Sequence, residues 1–269
     1  MLELEWELLQ SLKEYKLSNI EYNLAKNNSC LEILGKKFSL ESIKELLYIL
    51  EQIKKDKKLS ECIITGNFDT YFQTKEFYKK NSISEIKQVL SLFQLITKTI
   101  ENSHINFVCE VNSTMQGPAL ELALSCNIIK ANNNVMLKFE EADNGTMPLF
   151  GSIQRLLRII GYKNTLDTLL MKKFLSYKDA ESLNIINYNN KNQEHFKRNI
   201  FFWDQSFTNT FIFYNSKLHA KTKNKLPAYN AILSCIYEGA ICGYEAALSV
   251  EKRWLLWLLN HKSTIAKFN

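Results

Sequence analysis

The chain reads as an α/β protein of layered strands and helices, and three observations predict it. Short apolar runs closed by turn residues alternate with longer segments whose apolar residues recur every three or four positions. Past about residue 193 the pattern becomes helical and aromatic alone. A length of 269 residues, 46% of them hydrophobic and 23% charged, suffices for a sizeable core. The division expected is a core over residues 1–190 and a helical region over 191–269.

Residues 4–16 carry an apolar stripe (Trp6, Leu9, Leu12) and read as a leading helix. Residues 20–24 and 29–33 alternate weakly and read as a strand pair. Ser39 can cap a helix with Glu41 in its first turn and Ile43, Leu46, Leu47 and Leu50 on one face. A buried strand over 61–65 ends at Gly66, and helix returns over 84–100. Strands are expected at 105–111, 128–131 and 135–139, with a helix at 119–126 between the first two. Helix is expected at 152–160, stopped by Gly161, and again at 164–171. Ser176 and Asp179 form a capping box for a short helix ending at Asn184. Two long apolar-striped helices, 231–241 and 244–259, meet near Gly243.

Composition excludes several classes. No run reaches the roughly 18 apolar residues of a membrane span. The first residues hold neither a basic stretch nor an unbroken apolar one, so a secretory signal is not expected and the chain reads as cytoplasmic. Six cysteines without a CxxC pair, and four dispersed histidines, predict reduced core thiols and no metal site. A net charge of +6 is spread over lysine-rich linkers without interleaved aromatics, which argues against nucleic acid. It is compatible with a polyphosphate ligand.

The motifs lie between residues 107 and 187. An apolar strand leads to Val111-Asn112-Ser113-Thr114-Met115-Gln116-Gly117-Pro118-Ala119-Leu120-Glu121-Leu122-Ala123, then Cys126-Asn127. Next come Phe139-Glu140-Glu141, Gly145-Thr146-Met147-Pro148 and Ile153-Gln154-Arg155-Leu156, and finally the Leu175 to Asn187 run. In this order and spacing the stretch resembles the crotonase superfamily, the enoyl-CoA hydratases and isomerases. Leu226-Pro227-Ala228 and Tyr244-Glu245-Ala246-Ala247-Leu248 are similar to the helical tail of the hydratase half of bacterial multifunctional fatty-acid oxidation proteins.

The resemblance implies a layered ββα-superhelix core with a C-terminal helical trimerisation region, hence a homotrimer or hexamer. It implies an acyl-CoA or acyl-carrier thioester substrate, with no cofactor beyond the coenzyme A of the substrate. Hydrating an α,β-unsaturated thioester takes a base for water, an acid for the α-carbon and donors for the thioester oxygen. By resemblance Glu121 and Glu141 are the carboxyl pair, with Glu140 as an immediate rival for the second place. The oxyanion donors fall at Pro118, with Gly117 or Ala119 as substitutes, and at Gln73 in the loop after Gly66. Proline has no amide hydrogen, although it suits the first turn of a helix. Thr74 and its neighbours bring bulk where the family has small residues. Two other readings follow: a catalytically impaired homologue serving as a binding or assembly subunit, and an isomerase using one glutamate.

Overall fold

The computed structural model describes residues 20–24, 29–33, 39–55, 57–66, 79, 81–186 and 203–268. The expected helix over 4–16 and the loop over 67–76, Gln73 included, lie outside them.

Strands β1 (Ile20–Leu24) and β2 (Ser29–Ile33) pair antiparallel, as their weak alternation suggests. Helix α1 (Leu40–Lys55) follows, its first turn held by the Ser42 amide donating to the Ser39 hydroxyl at 3.1 Å. Its expected face (Ile43, Leu46, Leu47, Leu50) is buried. Next come β3 (Glu61–Gly66) and α2 (Ile83–Glu101). Helix α2 begins with a capping box: the Ser82 amide donates to the Glu85 carboxylate, and the Glu85 amide to the Ser82 hydroxyl.

Strand β4 (Asn106–Val111) lies between β3 and β6 (Ile128–Ala131), parallel to both, in a five-stranded sheet of order β1-β2-β3-β4-β6. Its near-continuous apolar run is what a central parallel strand covered on both faces requires. The crossover from β4 to β6 contains β5 (Met115–Gln116) and α3 (Gly117–Ala123). A second, three-stranded sheet joins β5 to β7 (Met136–Lys138) and β8 (Phe174–Ser176). Of its strands only β7 is expected from the sequence, at 135–139; β5 and β8 are too short, at two and three residues, to display an alternation.

Helix α4 (Ser152–Leu166) is interrupted at Gly161, whose φ of 74° breaks the helical backbone where a stop is expected. A π-helical turn (Asp167–Lys172) leads to β8 and α5 (Tyr177–Ser182), which carries the expected Ser176–Asp179 capping box. Asn184 is left-handed, at φ 57°. Helices α6 (Gln205–Thr222), α7 (Pro227–Gly239), α8 (Tyr244–Leu259) and α9 (Lys262–Phe268) complete the chain. Helices α7 and α8 pack on each other and on α4, so the C-terminal region covers the start of α4. No helix among the described residues is long and apolar enough to cross a membrane.

Candidate active site

Helix α3 sets the first carboxyl. Gly117, at φ 57°, lets the chain turn sharply out of β5, and Pro118 occupies the first helical turn, where its missing N–H interrupts no helical hydrogen bond. All seven residues of α3 are buried, so Glu121 enters the interior as part of an otherwise apolar helix. Its Oε1 accepts from the Leu149 amide at 2.7 Å and its Oε2 from the Phe150 amide at 2.7 Å, with the Ser152 amide at 3.4 Å. These amides belong to the turn that opens α4. No side chain caps that helix from its own N-cap, which is Gly151 at φ 96°. The free amides of a helix start need acceptors and attract negative charge, and Glu121 supplies both. Burial raises its carboxyl above the usual range, against the pull of the Leu149 and Phe150 amides, the Ser152 hydroxyl and Arg155.

The second carboxyl comes from the loop after β7. The Thr146 amide donates to the Glu141 carbonyl at 2.9 Å and the Gly145 amide to the Ala142 carbonyl at 3.1 Å, winding 141–146 into a compact turn. Glu140 is exposed and Glu141 half-buried, so of the two neighbours it is Glu141 that turns inward. Its carboxyl is pushed up to about 8, first by burial, then by the charges of Glu121 and Glu140; its own amide and that of Gly117 oppose the rise. Glu121 and Glu141 thus feel each other, with Gly117 at the junction. Pro118, which follows Gly117, is buried and offers no N–H. A cavity of about 40 Å³ opens between Ala142, Gly145, Leu226, Pro227, Ala228 and Thr264, and neither Glu121 nor Glu141 lines it.

A polar frame behind the pair was not anticipated from the sequence. Arg155, wholly buried, donates from Nε to Glu101 at 2.6 Å and from Nη1 to the Phe150 carbonyl at 2.5 Å. The Tyr244 hydroxyl donates to the same Glu101 oxygen at 2.9 Å. Glu251 of α8, 1% exposed, accepts from the Gly151 amide at 2.8 Å and the Gln154 amide at 3.2 Å. The signal was present: Glu101 continues the buried line Ile86, Leu90, Phe93, Thr97, and Glu251 falls in the line Tyr244, Ala247, Leu255, Leu258. A lone charge in phase with an apolar stripe marks a buried ion. Among the described residues no group of three or more His, Cys, Asp or Glu side chains could hold a metal ion.

A mostly parallel sheet, a crossover carrying α3, a second small sheet and a covering set of C-terminal helices make up a crotonase-type fold. The chain belongs to the enoyl-CoA hydratase/isomerase family, whose sequence model matches residues 36–237. It is 26% identical over 250 residues to the fatty acid oxidation complex subunit alpha of Shewanella frigidimarina (strain NCIMB 400), covering 82% of this chain and 35% of that protein. It is 27% identical over 150 residues to the human mitochondrial methylglutaconyl-CoA hydratase, covering 54% of this chain and 44% of that one. The chain thus spans well under half the length of these relatives. Among solved structures, the enoyl-CoA hydratase of Bacillus halodurans superposes with a TM-score of 0.67 at 17% identity, over 93% of this chain and 99% of its own. That of Mycobacterium avium subsp. paratuberculosis K-10 gives 0.65 at 13%, over 95% and 99%. At these identities the structural likeness speaks for the fold.

Proposed function

We propose that the chain hydrates α,β-unsaturated acyl thioesters, of coenzyme A or of an acyl carrier, with Glu121 and Glu141 as the acid–base pair. The observation that carries this reading is the placement of two carboxyls, Glu121 buried on α3 and Glu141 half-buried on the loop after β7, close enough that the charge of Glu121, after burial itself, helps push the Glu141 carboxyl up to about 8. Neighbouring carboxyls whose charges repel favour holding one proton between them, which is what concerted acid–base work needs. Ionised Glu121 takes a proton from water as the oxygen bonds to the β-carbon. The double-bond electrons move toward the thioester oxygen, and protonated Glu141 gives its proton to the α-carbon. One proton has entered at Glu121 and one has left Glu141, so a transfer between them resets the site.

The name of one relative, a methylglutaconyl-CoA hydratase, supports a coenzyme A ester as the substrate class. We extend the reading to a cytoplasmic homotrimer or hexamer assembled through the C-terminal helices, which a mass measurement in solution tests. The reaction is tested by adding crotonyl-CoA to the full chain and following loss of the conjugated thioester absorbance. Turnover that falls at least 10²-fold in both Glu121→Gln and Glu141→Gln supports the proposal. No turnover in any of the three favours a second reading, a catalytically impaired homologue kept for binding or assembly. Two observations favour that rival: Pro118 brings no N–H to the site, and both oxygens of Glu121 are already engaged by backbone amides.

A further inference from the structure

Two carboxylates divide the amides at the start of α4. Glu121 takes Leu149, Phe150 and Ser152 from the α3 side; Glu251 takes Gly151 and Gln154 from the α8 side. Neither can shift without moving a turn of four consecutive residues that the other also grips. The turn packs closely there: a methyl group at Gly151 would lie 2.6 Å from Leu248 of α8 and 2.7 Å from the Arg155 guanidinium.

We infer that Glu251 is a positioning residue for the reaction, fixing the 149–152 turn from which Glu121 is held and repelling the charge of Glu121 across that turn. The inference rests on the assignment of Glu121 to the chemistry. The groups facing Glu251 are Glu121 from α3, Arg155 and Arg158 from α4 and Cys235 from α7; Arg155 is itself bonded to Glu101 of α2. Three carboxyls, Glu101, Glu121 and Glu251, therefore share two guanidiniums. One retained proton neutralises the cluster, and Glu251 is its natural holder, since burial and the charge of Glu121 push its carboxyl up to about 8. With that proton on Glu251, Glu121 is free to be the ionised member, as a base must be.

The test is a carboxyl titration of the full chain labelled with ¹³C at the glutamate side-chain carboxyls, with signals assigned by their loss in Glu251→Gln and Glu121→Gln. The Glu251 midpoint is expected to fall in Glu121→Gln, its proton affinity dropping roughly tenfold once the facing charge is gone. An unmoved midpoint overturns the inference. Should the variants fail to fold, the wild-type curves decide: shared steps among the high-pH carboxyls uphold the coupling, and independent single steps overturn it. In crotonyl-CoA hydration, Glu251→Gln is expected to lower kcat about tenfold with KM unchanged, because its amide fits two N–H donors poorly and the turn relaxes. An unchanged kcat in a folded variant also overturns the inference. A chain with coupled carboxyls and no turnover upholds the coupling and sinks the proposed reaction instead.

Discussion

Arg155 and Glu101 meet at 2.6 Å with both side chains out of water, and this pair anchors the first turn of α4 to the end of α2. A buried ion pair adds little over an apolar substitute, yet removing one partner strands the other charge. Glu101→Ala leaves Arg155 with the Phe150 carbonyl and the more distant charge of Glu251, and removes the acceptor of the Tyr244 hydroxyl. Urea unfolding of Glu101→Ala is expected to show a loss of about 3–5 kcal/mol. A loss below about 1 kcal/mol contradicts the role given to this pair.

Gly151 is the pivot between the two carboxylates. Its φ of 96° disfavours any L side chain, and the space beside it is taken by Leu248 and Arg155. Gly151→Ala is expected to cost about 2–4 kcal/mol in thermal or urea unfolding, combining backbone strain with overpacking. An unchanged melting temperature would mean that this turn is softer than described.

Stability should fall as pH rises through the range between the ordinary glutamate value and about 8. Glu251 and Glu141 are both raised to about 8 from 4.5. In the unfolded chain they lose their protons near 4.5, whereas in the native state they keep them, so the native state binds more protons across that window. Its advantage is complete below 4.5, declines through the window and levels off above about 8. For the fully buried Glu251 the slope approaches about 1.4 kcal/mol per pH unit. Urea unfolding over a pH series measures it. Glu251→Gln should flatten the decline, and a wild-type stability that climbs through the same window contradicts the account.

Pro118 offers a gain-of-function test. If its position is that of a thioester-oxygen donor, Pro118→Ala restores the missing N–H. One such donor is worth about 10² to 10³ in rate, so the variant should hydrate crotonyl-CoA at least tenfold faster. A folded Pro118→Ala with unaltered kcat removes that position from the oxyanion site.

Much of the layered fold is legible from the chain because its parallel strands are short apolar runs, with β4 in the middle buried on both faces. The runs at 61–66, 106–111 and 128–131 stand out as apolar segments bounded by turns. Gly161 and Asn184 announced their breaks through backbone conformation alone. In the small sheet β7 is legible at 135–139, whereas β5 and β8 are too short to carry a period. Glu121 and Glu141 came from ordered motifs, and burial separated Glu141 from Glu140. Glu101, Arg155 and Glu251 were passed over for a different reason. Their partners lie on helices far apart in sequence, such as the 54 residues between Arg155 and Glu101, and spacing along one helix cannot reveal a contact between two.

The pH dependence of crotonyl-CoA hydration tests the carboxyl pair most directly. A raised carboxyl is an acid below its midpoint and loses that role above it. kcat/KM is therefore expected to drop tenfold per pH unit beyond about 8, as Glu141 ionises. Its acidic limb should lie above the ordinary carboxylate range, where Glu121 takes up its proton. A rate that holds level through pH 8 and beyond, or a rate with no acidic limb at all, contradicts the pairing of Glu121 with Glu141.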